Sequence, residues 1–230
     1  SDVFTNINQK TKEGKTMDNW VSAIVGDTQG NIWVIIPDQG IFRYKDNELY
    51  FYEISNRRQF KQESPNCICV REIGFWGLGI CRYNPQKDSF EQIAEDKDGR
   101  PLVGKNINSI CEYDDWLIMA ANEGELMKYN TKSHVLEDIK VVGTDNTFYT
   151  TVAYMKGKIW LGTFNGLYVI DEKKNEVVSL KEDLMRSFSL SDKMIYSMCQ
   201  DSEGGIWIGT LFGGVNYLPN RNLQFDKFVP

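Results

Sequence analysis

Apolar residues in this chain fall in runs of four or five positions, separated by short stretches of Gly, Asp and Asn. Runs of that length are too short for helices. They are rich in Ile, Val, Tyr, Phe and Trp, which pack well on a pleated, half-buried surface, so they predict strands. A longer period overlies them. Trp33, Trp76, Trp116, Trp160 and Trp207 are 43, 40, 44 and 47 residues apart. Each is followed by a glycine (Gly40, Gly79, Gly124, Gly166 and Gly214) and then by a short apolar strand: 41–44, 80–83, 126–129, 167–170 and 215–218. Another strand runs ahead of each Trp, at 22–25, 66–69, 108–111, 150–153 and 196–199.

The first and last copies show the connection between these two strands most clearly. Asp27-Thr28-Gln29-Gly30-Asn31-Ile32-Trp33 aligns with Asp201-Ser202-Glu203-Gly204-Gly205-Ile206-Trp207. An Asp able to accept from nearby backbone N–H groups, followed by a Gly free to take positive φ, is the chemistry of a hairpin turn. Adding an outer strand such as Leu49–Tyr52 or Leu223–Phe225 gives four strands per unit. Four antiparallel strands in 40 to 47 residues make one blade of a β-propeller. The predicted fold is therefore all-β: about five propeller blades belonging to a larger propeller, with each Trp wedged against the next blade. The expected boundaries are a preceding outer strand within 1–19 and blades at about 20–62, 63–105, 106–147, 148–192 and 193–230. Residues 4–9 and the strand near Phe228 both read as outer strands, so ring closure is not evident and the ends look excised. The copy around Trp76 leaves only two residues between Trp and Gly, and the third replaces the Asp/Gly turn with Glu112-Tyr113-Asp114-Asp115. Both blades are expected to be distorted.

Composition narrows the function. The chain has 230 residues, 41% hydrophobic and 13% aromatic, enough for a packed core. A net charge of −6 with no basic stripe argues against nucleic acid. No apolar run is long enough to span a bilayer, and the first residues lack a signal peptide. Cys69, Cys111 and Cys199 share the slot of Val25 and Ala153, and Cys67 shares that of Ala23, which reads as small apolar packing rather than as a metal or disulfide site. His134 is the only histidine, which removes His-based triads and most His-rich metal centres. Gly14-Lys15-Thr16 lacks the earlier glycine and the strand of a phosphate loop. The Asp turns resemble the Asp-box of sialidases, but the Asp precedes the Gly by three residues instead of two, and no acid/base pair can be placed. No catalytic residue, metal or cofactor is expected.

The stretch Asp201–Leu218 resembles the two-component regulator propeller repeat, as do Asp27–Tyr44 and, without the Asp turn, Lys158–Leu167. That resemblance implies the periplasmic sensor region of a hybrid histidine kinase of an inner membrane, as found in Bacteroidetes, in which many members detect oligosaccharides. The partners it implies are an oligosaccharide and the remaining blades of a parent receptor, with a homodimer also open. The alternatives are a protein-interaction scaffold of the WD or kelch kind and, less favoured, a propeller glycosidase or lyase. In a propeller the loops leading into the first strand and those joining the second and third strands share one face. The first set holds Asn19, Trp20, Asn106, Phe148, Tyr149 and Lys193, and the second Asp38, Gln39, Asn122, Glu123, Phe164, Asn165 and Phe212. Aromatic rings beside amide groups suit a sugar, whose C–H face stacks on a ring while its hydroxyls bond polar groups. The ligand-binding candidates are Trp20, Asp38, Gln39, Asn106, Asn122, Phe148, Tyr149, Phe164, Asn165 and Phe212.

Overall fold

A computed structural model describes residues 10–37, 39–52, 65–69, 72–75, 79–103, 105–144, 147–181 and 189–220. Its strands fall into five antiparallel sheets, each in simple up-and-down order. Blade 1 holds β1 (Ala23–Gly26), β2 (Ile32–Ile36), β3 (Gly40–Lys45) and β4 (Glu48–Tyr52). Blade 2 holds β5 (Pro65–Cys69), β6 (Glu72–Phe75), β7 (Gly79–Asn84) and β8 (Ser89–Ile93). Blade 3 holds β9 (Ile107–Tyr113), β10 (Trp116–Ala121), β11 (Glu125–Asn130) and β12 (Leu136–Asp138), with a 3-10 turn at Asn122–Gly124. Blade 4 holds β13 (Tyr149–Met155), β14 (Lys158–Thr163), β15 (Gly166–Asp171) and β16 (Glu176–Leu180), and blade 5 holds β17 (Ile195–Gln200), β18 (Ile206–Thr210) and β19 (Val215–Leu218). The outer strand expected at Leu223–Phe225 and the one expected at 4–9 lie outside the described residues, as do Asp38 and Trp76. Residues 10–19 form no strand. They close a tight turn through Thr11 and Lys15, and Met17 packs on blade 1. Blades 1–3 belong to one compact unit and blades 4 and 5 to another.

Blades stack through a repeated pair of faces. One face of blade 1 (Trp33, Ile35, Ile41, with Ala23 and Val25) buries against Ile68, Cys81, Tyr83 and Phe90 of blade 2. Cys67 and Ile80 of blade 2 meet Ile107, Ile110 and Leu117 of blade 3. Within the second unit, Ala153, Trp160, Leu167 and Val169 of blade 4 meet Ile195, Met198, Ile206 and Ile208 of blade 5. One sheet cannot bury its own face, and the next blade supplies the cover.

Register places the tryptophans unequally. Trp33, Trp160 and Trp207 sit opposite Val25, Ala153 and Cys199 of the first strand, and opposite Arg43, Val169 and Tyr217 of the third. In blade 3 the residue in that position is Ile118, opposite Cys111 and Lys128. In blade 2 it is Glu72, opposite Cys69 and Arg82. The five-tryptophan alignment is therefore corrected in two blades. The cause in blade 3 is the hairpin. Asp114 (φ +51) and Asp115 make a two-residue turn that puts Trp116 opposite Tyr113 at the start of the strand, where Lys128 lies 4.8 Å over its ring. Trp33 and Trp160 are buried as expected, whereas Trp207 is 43% exposed.

The Asp turn recurs outside the aligned Trp phrases. In blades 1 and 5, Asp27 and Asp201 accept at Oδ1 from the backbone N–H groups two and four residues on, while Oδ2 accepts from the indole of Trp33 or Trp207 at 3.0 and 2.9 Å. Asp96 makes the same backbone pattern with Asp98 and Arg100, and Gly99 takes φ +81 as Gly30 and Gly204 take +78 and +81. This third copy, Asp96-Lys97-Asp98-Gly99-Arg100, follows the outer strand of blade 2 rather than joining its inner strands. With no Trp after it, a search anchored on Trp passes over it.

Candidate functional site

The two loop sets named from the sequence meet along one edge of blades 1, 3, 4 and 5 among the described residues. In blade 3, Asn122 donates its backbone N–H to Asn106 O at 2.9 Å, and Asn108 Nδ2 donates to Asn122 Oδ1 at 2.5 Å. Lys105 Nζ holds both carboxylate oxygens of Glu125 beside them, at 2.6 and 2.7 Å. In blade 1, Gln39 Oε1 accepts from the backbone N–H of Asp18 at 3.3 Å, and Trp20 is 61% exposed at the head of the lead-in segment. This edge of the first unit is thus mainly amide and ionic in character.

The corresponding edge of the second unit is aromatic. Phe164 donates its backbone N–H to Phe148 O at 3.0 Å, and the two rings stack with centroids 5.0 Å apart and planes 22° from parallel. Both rings remain exposed, as does Asn165, whose backbone N–H is fixed by Thr163 Oγ1 at 2.9 Å. Gly166 ties this loop to the next lead-in segment through Lys193 O at 2.7 Å. In blade 5, Asp192 organises the loop tip: its Oδ2 accepts from Phe212 N–H at 2.9 Å and its Oδ1 from Met194 N–H at 3.2 Å. The hydrogen bonds from Phe212 and Met194, led by Phe212, outweigh desolvation and hold the Asp192 carboxyl below the usual range. Phe212 itself is 82% exposed. A ring left in water while its backbone is pinned is ready to receive a flat apolar surface at little ordering cost.

Tyr149 does not belong to this surface. A β-bulge between Tyr149 and Thr151 turns its side chain inward, where it is buried and its hydroxyl pairs with Thr144 at 2.5 Å. The same bulge recurs at Pro65/Cys67 and Ile195/Ser197, and in blade 3 opposite Ala120/Ala121. Asp192 is neither aromatic nor part of an aligned strand, and Thr163, although inside Lys158–Leu167, reads there as a strand residue, so neither stands out as a loop-organising group. The only signal was Ser191-Asp192 directly ahead of a lead-in segment.

Other expectations concern chemistry away from this edge. Cys67 and Cys81 are buried and not in a disulfide, and Cys67 Sγ lies 3.7 Å from Ile107 O. Cys199 shares the register of Val25 and Ala153 but is exposed, so its slot is not a closed one. His134 Nδ1 pairs with the buried Tyr129 hydroxyl at 2.7 Å. Among the described residues no group of three or more His, Cys, Asp or Glu could hold a metal ion, and no helix is long and apolar enough to cross a membrane.

Comparison with known proteins agrees with this architecture. Residues 189–212, which run from the lead-in segment of blade 5 to Phe212, match the family described as two-component regulator propeller. A curated relative, histidine kinase P4 of Formosa agariphila, is 27% identical over 162 residues, or 67% of this chain and 12% of that protein. Among solved structures, the extracellular domain of a hybrid two-component system of B. thetaiotaomicron is similar with TM-score 0.69 at 20% identity, over 93% of this chain and 29% of that one. PorZ, a surface component of the type-IX secretion system of Porphyromonas gingivalis, is similar with TM-score 0.63 at 16% identity, over 95% of this chain and 34% of that one. The chain thus spans a small part of each. The chain is built of β-propeller blades, and its last blade carries a two-component regulator propeller repeat.

Proposed function

We propose that this chain is a non-catalytic, ligand-reading segment of a periplasmic sensor whose output is an inner-membrane histidine kinase, and that it holds an oligosaccharide on the loop edge of blades 4 and 5. The stacked, solvent-facing Phe148–Phe164 pair carries the reading, with Asn165 on the same loop and the pinned Phe212 on the loop edge of blade 5. Pyranose C–H faces stack on such rings, and neighbouring amides and carbonyls select hydroxyl positions. Support for the signalling half comes from the two-component regulator propeller match, which spans Asp192 and Phe212, and from the similarity to a histidine kinase. The amide-rich edge of blade 3, with Asn106 and Asn122, and Trp20 with Gln39 in blade 1 are the further contact candidates.

Calorimetry of the folded chain against a panel of neutral and acidic oligosaccharides tests the reading. Binding of at least one sugar is expected, weakened about tenfold or more by Phe164→Ala or Phe148→Ala, since each ring face supplies on the order of 1–2 kcal/mol. Failure of every sugar to bind, or binding that neither substitution alters, would refute it. Release of reducing ends during incubation would replace it with a hydrolase.

A further inference from the structure

We infer that blade 5 extends the loop edge of blade 4 with an apolar contact, made by Met194, Leu211 and Phe212, that takes an alkyl or acyl substituent carried by the saccharide. The inference rests on the saccharide reading of the Phe148–Phe164 pair and adds to it the chemistry of the neighbouring blade.

Blades 3, 4 and 5 close this edge with the same backbone bond. The residue after the second strand donates its N–H to the carbonyl of the residue ahead of the first-strand bulge: Asn122 to Asn106 at 2.9 Å, Phe164 to Phe148 at 3.0 Å and Leu211 to Met194 at 2.9 Å. Register agrees, because Ala121, Thr163 and Thr210 pair one step inward with Ile107, Tyr149 and Ile195. Met194 and Leu211 therefore hold in blade 5 the places that the two stacked phenyl rings hold in blade 4. The displayed pair is amide in blade 3, aromatic in blade 4 and aliphatic in blade 5.

Within the second unit the two apolar pairs are neighbours. Gly166, two residues after Phe164, donates its N–H at 2.7 Å to the carbonyl of Lys193, the residue before Met194. Leu211 is 44% exposed and Phe212 82%, and Met194 is half-buried. That openness belongs to the position. Phe164 occupies it in blade 4 with blade 5 packed alongside, and its ring is still 40% exposed.

The polar groups of these loops are already committed. The N–H groups of Phe164, Asn165, Gly166, Met194, Leu211 and Phe212 all donate within the two blades. An extended peptide binds through a row of free main-chain partners, and these segments do not present one. What blade 5 turns outward is hydrocarbon, a phenyl ring and a thioether. Such a surface gains by covering methylene groups, and an unbranched Met side chain adapts to a chain of irregular shape. A substituent on a sugar stacked against Phe148 and Phe164 has only to cross the Gly166–Lys193 link to reach it.

Calorimetry of the folded chain tests this with β-glucosides and β-galactosides whose alkyl group lengthens from methyl to octyl, each below its micelle concentration. Affinity should rise about two- to fourfold per added methylene, the upper figure corresponding to full burial. Leu211→Asn should flatten that rise, whereas Phe164→Ala should weaken every member by a similar factor and keep it. The Leu211 side chain is exposed and its backbone bond survives the change, so circular dichroism should show the variant folded. In protein labelled at its methionine methyl groups, octyl but not methyl glycosides should shift the Met194 resonance. A flat series in the wild type would overturn the inference, as would a rise that survives Leu211→Asn and leaves Met194 unmoved. Affinities that ignore Phe164→Ala but flatten in Leu211→Asn would remove the stacking reading and leave this contact standing. Failure of every glycoside to bind would remove both. A hexapeptide containing Leu and Phe that shifts Met194 more than the octyl glycosides do would give the contact to a peptide and overturn the inference.

Discussion

Substituting Gly162 by Ala places one methyl group where blade 5 meets blade 4. That Cβ would lie 2.6 Å from Thr151 Cγ2, 2.7 Å from Ile195 Cγ2 and 3.1 Å from Ile195 Cβ, while Gly162 and Ile195 are both buried. Two contacts under 3 Å in a closed interface force either a rotamer change or a shift of one blade, and overpacking of this kind costs about 1–3 kcal/mol. The alanine recovers about 0.4–1 kcal/mol by restricting the unfolded chain. A net loss of about 1–2 kcal/mol is expected, or a fall of about 2–8 °C in thermal midpoint. Gly209 is the internal control. It holds the same register in blade 5, but its added Cβ would meet Ser197 Oγ at 2.6 Å, a rotatable hydroxyl on an exposed residue, so Gly209→Ala should cost much less. Urea unfolding followed by circular dichroism measures both. A double-mutant cycle locates the clash: Ile195→Ala alone should cost about 2–5 kcal/mol, and Gly162→Ala should cost clearly less in that background than in the wild type, the contact with Thr151 Cγ2 remaining. Costs that add within error, or equal losses at positions 162 and 209, would refute the claim that blade 5 inserts Ile195 into a glycine notch.

Asp27→Ala removes the acceptor for two backbone N–H groups, the Asn31 amide and the Trp33 indole, and should cost about 2 kcal/mol in urea unfolding; Asp201→Ala, whose turn is more exposed, should cost less. Arg43 lies against the rings of Tyr50, Trp33, Tyr52 and Tyr83 and pairs with Asp88 at 3.2 Å, with its own side chain only 13% exposed. Asp88→Ala should therefore destabilise by about 1–3 kcal/mol by leaving that charge without its counter-ion, and Arg43→Met in the same chain should recover much of the loss. Stability should also follow pH at both ends, as thermal scans would show. Burial alone would raise the carboxyls of Asp27 and Asp88, but hydrogen bonds outweigh it and hold both below the ordinary range. Their contribution is therefore complete above about pH 4 and is lost as pH falls through the folded values. Burial, followed by hydrogen bonding to Asp88, raises the Tyr52 and Tyr83 phenols, so their contribution is complete below about pH 10 and declines above it.

Strand count, strand order and turn chemistry were legible in the sequence because each blade must solve the same local problem. The third strands were placed correctly in all five blades, since the glycine ahead of them takes positive φ every time, from +75 to +141. Gly79 shows why that residue is fixed: any Cβ there would lie 2.1 Å from Leu102 O. The Trp itself misled. It is a good marker where an Asp turn precedes it, as at Trp33 and Trp207, because the indole is the partner of that Asp. Where the turn is two residues long the constraint disappears, and Trp116 drifts two positions from the slot that Ile118 fills. Trp160 keeps the slot without the Asp by donating to Met155 O at 3.0 Å, a partner that spacing alone cannot reveal.

The candidate site was harder to read for a related reason, and the bulge explains it. At the start of blades 3, 4 and 5 the residue at the bulge points into an interior: Ile107, Tyr149 and Ile195 are all buried. A bulge adds a residue to one strand and re-aims its neighbours, so the residue before it is carried to the loop edge. The residues in that preceding position are Asn106, Phe148 and Met194, with Trp20 ahead of Val21 in blade 1. The buried member of the pairs in blades 3, 4 and 5 must suit its packing and is therefore held to Ile or an inward-facing Tyr. The displayed member lies on the loop edge outside the blade-to-blade packing and is free to be an amide, a phenyl or an indole. A pair such as Phe148-Tyr149 looks like two equivalent aromatics in the sequence, yet the bulge commits one to the interior and the other to solvent. In the proposed sugar-binding reading, specificity is set one residue ahead of the buried residue, so ligand chemistry can change there while the stacking of blades stays fixed.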